Sequence, residues 1–156
     1  MNPAFMARAI ELALENVRTG RGGPFGAVVV KDGVIIGEGA NSVIPLIDPT
    51  AHAEVVALRN ACAKLGVFHI PGSEVYTSCE PCPMCLGAIY WAHVDRVYFA
   101  ATKDQAAEAD FDDSFIYRQI EIAPEQRSIP MLHVDAGEDA LRPFAEWLKK
   151  PDRIRY

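Results

Sequence analysis

Glu74-Val75-Tyr76-Thr77-Ser78-Cys79-Glu80-Pro81-Cys82-Pro83-Met84-Cys85 is the stretch that decides the fold. Glu74 to Ser78 reads as a short buried strand. Glu80-Pro81 then opens a helix, since proline is tolerated in a helix's first turn, and that helix carries Cys82, Cys85, Ile89 and Trp91. Arg96 to Ala101 reads as the next strand. A strand, a helix and a strand in succession imply an α/β sandwich.

Towards the N-terminus, Thr50 is placed to cap a helix over Ala51 to Leu65, and Gly66 to end it. Ala27 to Lys31, Asp32-Gly33 and Val34 to Gly39 read as a β-hairpin with an Asp-Gly turn. Asn2 caps a first helix with Pro3 in its opening turn. Phe5, Met6, Ala9, Ile10, Ala13, Leu14 and Val17 form its apolar stripe, and Gly20 ends it. Towards the C-terminus, Lys103 to Asp110 has a helical composition, Phe111 to Phe115 reads as a loop, and Met131 to Val134 as a last strand. Ala140 to Lys149 reads as a terminal helix, which Pro151 separates from a short tail ending at Tyr156. The expected architecture is a three-layer α/β/α sandwich around a mixed sheet of about five strands, in one domain over residues 1–156.

Half of the residues are hydrophobic and 23% are charged, ordinary for a globular protein. The net charge of −6 argues against a polyanionic partner, because phosphate contacts need clustered Lys and Arg, so nucleic acid is not expected and a small molecule is. No window approaches the roughly 20 apolar residues of a membrane helix, and the first residues lack a secretory signal's pattern. A cytoplasmic protein without membrane association is expected. In such a reducing compartment, Cys79, Cys82 and Cys85 point to metal or redox chemistry before disulfides, and Cys62, inside a helical pattern, to the core.

His52-Ala53-Glu54 opens one expected helix, and Pro81-Cys82-Pro83-Met84-Cys85 opens another 27 residues after Glu54. Together they match the H-x-E and P-C-x-x-C signature of zinc deaminases. Two thiolates and an imidazole from His52, Cys82 and Cys85 leave a tetrahedral Zn2+ one open position, the arrangement of a catalytic site. There the ion lowers the pKa of water towards neutrality. Cys82 and Cys85 at a helix start have their thiolates favoured by the helix dipole. Glu54, two residues from His52, is not a ligand but stays near the metal, which suits a proton shuttle acting as general base and then general acid. The plain alternative is a structural zinc module or a set of core thiols. Cys79 offers either a fourth ligand that would close the site or a strand end, and its place just before the helix favours the strand end.

These residues resemble the cytidine deaminase-like superfamily and, within it, the bacterial guanine deaminases. The resemblance runs through Gly22-Gly23-Pro24-Phe25-Gly26-Ala27, Asp48 to Glu54, Tyr76 to Cys85, and Phe111-Asp112-Asp113-Ser114-Phe115. The first three blocks recur in related deaminases, including those acting on adenosine in transfer RNA. The fourth block and the tail ending in Tyr156 resemble the guanine branch.

That resemblance implies hydrolysis of guanine to xanthine and ammonia with one zinc per subunit, and a homodimer that exchanges a C-terminal segment at about residues 140–156. It also implies substrate contacts at Asn41, Phe25, Ala53 and Tyr156, and a catalytic part for Asp113 beside Glu54. From the residues alone, Asn41 reads as a turn cap, Asp113 as a loop charge and Phe25 as core. Guanosine, ammeline and cytosine suit the same apparatus. His69, His93 and His133 lack ligand spacing, and Trp91 and Trp147 read as core or subunit contacts.

Overall fold

Ala27, Val28, Val29 and Val30 are all buried, and a strand covered on both faces has to lie between two helical layers. In the computed structural model, which describes residues 1–155, this is what strand β1 (Gly26–Lys31) does. One face packs Val28 and Val30 with Tyr76 under Phe5, Met6 and Leu12 of helix α1 (Pro3–Arg18). The other packs Ala27, Val29 and Val75 under Ala53, Ala57, Leu58 and Ala61 of α3 (Ala53–Leu65) and Ile89 of α4 (Pro83–Trp91). Each large aliphatic side chain fully buried there contributes roughly 1.5–3 kcal/mol.

Asn2 caps α1 by accepting the Ala4 N–H at 3.0 Å, and Thr19 and Gly20 close it. Its sheet-facing side is narrower than the stripe expected from sequence. Ala9, Ala13 and Asn16 are buried, whereas Ile10, Leu14 and Val17 are exposed. Positions 9, 13 and 16 repeat at helical spacing, and 10, 14 and 17 fall one step round the helix.

After β1, Asp32 and Gly33 both take positive φ, 51° and 75°, the type I′ turn expected of Asp-Gly. The chain returns antiparallel as β2 (Val34–Ala40) and continues through the short helix α2 (Val43–Leu46) into α3. Gly39 lies under the start of α3, where a Cβ would overlap the Ala53 carbonyl oxygen. This close approach seats the helix end that carries the site.

Strand β3 (Ser73–Cys79) pairs antiparallel with β1 and parallel with β4 (Arg96–Ala101), and α4 makes the crossover between β3 and β4. The sheet order is β2-β1-β3-β4. Helix α5 (Lys103–Ala107) follows, with a capping box between Thr102 and Gln105.

Contacts divide the chain into two compact units, Met1–Ser114 and the segment from Phe115 onward. The sheet and both ligand-bearing helices belong to the first. The second contains most of α6 (Ser114–Glu121), two 3-10 turns at Pro124–Gln126 and Gly137–Ala140, and α7 (Arg142–Lys149).

Four expectations are corrected. The sheet has four strands among the described residues. Met131 to Val134 is not a strand: the Met131 N–H donates to the Pro124 carbonyl at 3.0 Å, and Met131, Leu132 and Val134 are exposed. A strand needs a neighbouring edge, and this unit supplies none. Phe115 lies in α6 and not in a loop. The cap of α3 is His52, not Thr50, whose hydroxyl and N–H both donate to Asp48 Oδ1 at 2.7 and 2.8 Å. That local Asx turn removes Thr50 from the helix start.

Candidate active site

The carboxyl end of β3 and the N-termini of α3 and α4 meet at one place, where open α/β sheets bind ligands. His52 is the N-cap residue of α3 and Cys82 that of α4, both with extended backbone (φ, ψ −67°, 157° and −64°, 167°). Neither side chain caps its own helix. Helix α4 begins at Pro83, two residues after the expected Pro81, because the Leu86 N–H bonds back to the Cys82 carbonyl at 2.9 Å. Cys85, one turn in, is fully buried.

The Sγ atoms of Cys82 and Cys85 each lie 3.5 Å from His52 Nδ1, and the three donor atoms lie within 4.8 Å of one another. A tetrahedral zinc with bonds of about 2.3 Å to sulfur and about 2.0–2.1 Å to nitrogen requires S···N edges of roughly 3.5 Å. The donor set therefore fits the ion in element and spacing.

Its electrostatics agree. The Cys82 thiol is held well below its ordinary value, first by the hydrogen bond from the Cys85 thiol and also by His52. Cys85 is pushed up by its bond to the Cys82 thiolate and by burial, so a second negative charge there calls for a cation. His52 is raised, chiefly by its bond with Cys82. Zinc is the metal this site is built to hold.

Glu54 sits in the first turn of α3, 5% exposed. Its Oε1 accepts the Thr77 hydroxyl at 3.2 Å and its Oε2 the Cys85 thiol at 3.3 Å. Burial raises its pKa, with the hydrogen bonds working against the rise. Glu54 is thus beside the ligand set without belonging to the three-residue donor group.

Cys79 ends β3 and approaches the Thr102 carbonyl at 3.7 Å, with its thiol pushed up to about 11 by burial. It lies outside the donor group, at the strand end. Asp113 is half-buried, its pKa raised by burial and then by the Cys82 thiolate, and its charge in turn acts on His52.

Ala53 is buried between His52 and Glu54. Asn41 is buried after β2 and donates its N–H to the Phe25 carbonyl at 3.0 Å. Phe25 packs against the core and meets Phe111 edge to face, centroids 4.9 Å apart at 89°. The ring is half-buried, in keeping with the core reading of Phe25. Tyr156 lies outside the described residues.

Thr77, Asn16 and Phe111 were not singled out from sequence. For Thr77 a signal existed: strand alternation puts Val75, Thr77 and Cys79 on one face of β3. His69 and His93 stack on each other, centroids 3.9 Å apart at 10°, and play no part among the ligands. Cys62 packs against the core as expected. Trp91 does not: at 67% exposed it is no core residue of this chain. Among the described residues no helix is long and apolar enough to cross a membrane.

The cytidine and deoxycytidylate deaminase zinc-binding region matches residues 2–101. Guanine deaminase of Bacillus subtilis is 54% identical over 152 residues, 97% of each chain. Its crystal structure superposes with a TM-score of 0.96 over 100% of this chain and 99% of that one. The guanine deaminase of Nitrosomonas europaea is 37% identical, with a TM-score of 0.68 over 72% of this chain and 65% of its own. A tRNA-specific adenosine deaminase of Aquifex aeolicus is 45% identical over 78 residues, 50% of this chain and 52% of that protein.

Proposed function

The chain belongs to the cytidine and deoxycytidylate deaminase zinc-binding family, and from that premise we propose that it hydrolyses guanine to xanthine and ammonia with one zinc ion per subunit. The observation that carries this reading is Glu54, buried and hydrogen-bonded to the ligand Cys85 at 3.3 Å beside a complete His52, Cys82 and Cys85 donor set. Likeness to Bacillus subtilis guanine deaminase over 97% of the chain supports the choice of base. The zinc supplies a Lewis acid that makes water nucleophilic near neutral pH.

The remaining chemistry falls to the chain's own residues. Water adds to the ring carbon bearing the exocyclic amine. Glu54 takes a proton from that water and passes it to a ring nitrogen. It then takes the remaining proton of the newly added hydroxyl and delivers it to the amine, whose C–N bond breaks as the carbonyl forms, so guanine and water become xanthine and ammonia. Desolvation suits Glu54 to both halves of this task, because it brings a carboxyl group closer to working pH. Thr77 holds the carboxylate in place.

Asn41 bonds the purine edge, Phe25 and Ala53 wall the ring, and Asp113 accepts from guanine N–H groups and shares in proton transfer. The substrate is a small nucleobase. A net charge of −6 does not favour transfer RNA, the substrate class in the name of the Aquifex aeolicus relative, which matches half of this chain.

The enzyme works as a cytoplasmic homodimer. Leu86, Tyr90 and Trp91 of α4 and Phe99 of β4 are exposed apolar side chains of the kind subunit contacts cover. Phe144 and Leu148 of α7 are equally exposed within the second unit, as a C-terminal segment exchanged between subunits would have them. An ammonia-release screen of the zinc-loaded protein across guanine, guanosine, cytosine, adenine, ammeline and an adenosine-bearing RNA hairpin tests the substrate. Preference for any of them over guanine overturns the reading.

A further inference from the structure

Of the three buried residues of α1, Ala9, Ala13 and Asn16, only Asn16 is polar, and it is 3% exposed. Its amide nitrogen donates at 2.9 Å to the Gly23 carbonyl and at 2.9 Å to the Asn41 carbonyl. Its own carbonyl accepts the Arg21 N–H at 3.0 Å, which turns the chain from α1 into the glycine-rich loop. The Asn41 N–H then bonds to the Phe25 carbonyl at 3.0 Å.

These bonds close a ring that runs from Asn16 through Gly23, Pro24 and Phe25 to Asn41 and back. Gly22 fits inside it only for want of a side chain: a Cβ there would overlap the Asn41 carbonyl oxygen and lie 2.9 Å from Asn16 Nδ2. The loop has no slack on that side. Without the amide, two glycines would leave it conformationally free.

We propose that Asn16 is a positioning residue for substrate recognition: one carboxamide on α1, bonded to the Gly23 and Asn41 carbonyls, sets the spacing between the Phe25 ring and the Asn41 side chain into which the planar base fits. Asn16 acts only through those two residues, so the inference rests on their reading as base-binding groups. An apolar residue of the same size would leave two inward carbonyls without donors. The amide satisfies both and adds no charge near the pocket.

The test uses purified, zinc-loaded enzyme. Asn16→Asp keeps the volume and removes both donors; Asn16→Ser, which retains one hydroxyl donor, stands in should the carboxylate prevent folding. Because a misplacement of about 1 Å can cost as much as 10²-fold, kcat/KM for guanine should fall about tenfold to a hundredfold, carried by KM, with zinc content unchanged and kcat nearly so. In an Asn41→Ala background the same substitution should cost clearly less than it does alone, since the side chain of one of the two residues it acts through is gone.

A lower Tm with parental KM would show that Asn16 serves the fold alone and overturn the proposal. So would a loss that adds in full to that of Asn41→Ala. If Asn41→Ala by itself leaves KM untouched, the base-binding reading fails and the proposal falls with it, so the two failures appear in different variants.

Discussion

Replacing Glu54 by glutamine preserves the shape of the side chain and removes its capacity to carry a proton. The carboxylate is buried, bonded to Thr77 at 3.2 Å and to Cys85 at 3.3 Å, so no bulk water is poised to take its place. A single positioned acid or base is typically worth 10²- to 10⁴-fold. Glu54 serves the incoming water, the ring nitrogen and the departing amine in turn, which sets the loss at the upper end, about 10⁴-fold in kcat, or roughly 5 kcal/mol of barrier. The Gln side chain can still accept the Thr77 hydroxyl, and it touches the donor set only through Cys85, so zinc content should stay at one per subunit. The assay pairs metal analysis of the purified Glu54→Gln protein with steady-state ammonia release from guanine. A zinc-loaded variant with kcat within tenfold of the parent would refute the shuttle.

Three further outcomes follow from the same geometry. His52→Ala, Cys82→Ala and Cys85→Ala should each lose zinc while Cys79→Ala, altered at the strand end, keeps it; equal loss from Cys79→Ala in metal analysis would restore it as a fourth ligand. Arg8 holds Glu38 by two bonds of 2.8 Å and lowers its pKa from the ordinary 4.5, so Glu38→Gln should cost about 0.5–1 kcal/mol at neutral pH for this partly exposed pair. That difference is present above the ordinary carboxyl value and closes as pH falls through the lower folded one; denaturant titrations showing the same gap in acid would count against it. Deleting Arg153 to Tyr156 should leave a zinc-loaded protein of poor activity, and mixing it with Glu54→Gln should recover activity through heterodimers holding one intact site. Heterodimers seen by mass analysis that remain inactive would place the tail over its own subunit.

The ligand set could be read from sequence because each half is local. His52 and Cys82 stand at helix starts that a few neighbouring residues determine, and zinc chemistry demands those residue types at those spacings. The hairpin was equally legible, since Asp32-Gly33 can take two positive φ angles where most pairs cannot. Errors arose where a competing local contact or a distant partner decided the outcome. Thr50 has the chemistry of a cap, but Asp48 lies two residues away and claims its hydroxyl. Met131 to Val134 has the composition of a strand but no edge to pair with, and pairing rather than propensity makes a strand.

The same distinction governs the supporting residues. Thr77 reaches Glu54 across 23 positions of sequence, and Asn16 reaches Asn41 across 25. Both needs arise only when a helix is laid on the sheet, so a linear pattern shows them at most as polar residues on a buried face. Asn16 carried even that sign, standing one helical step beyond Ala9 and Ala13. A polar side chain on an otherwise apolar face must find partners, since burial without them costs about 1–3 kcal/mol per group. For Asn16 those partners are the Gly23 and Asn41 carbonyls, each reached at 2.9 Å.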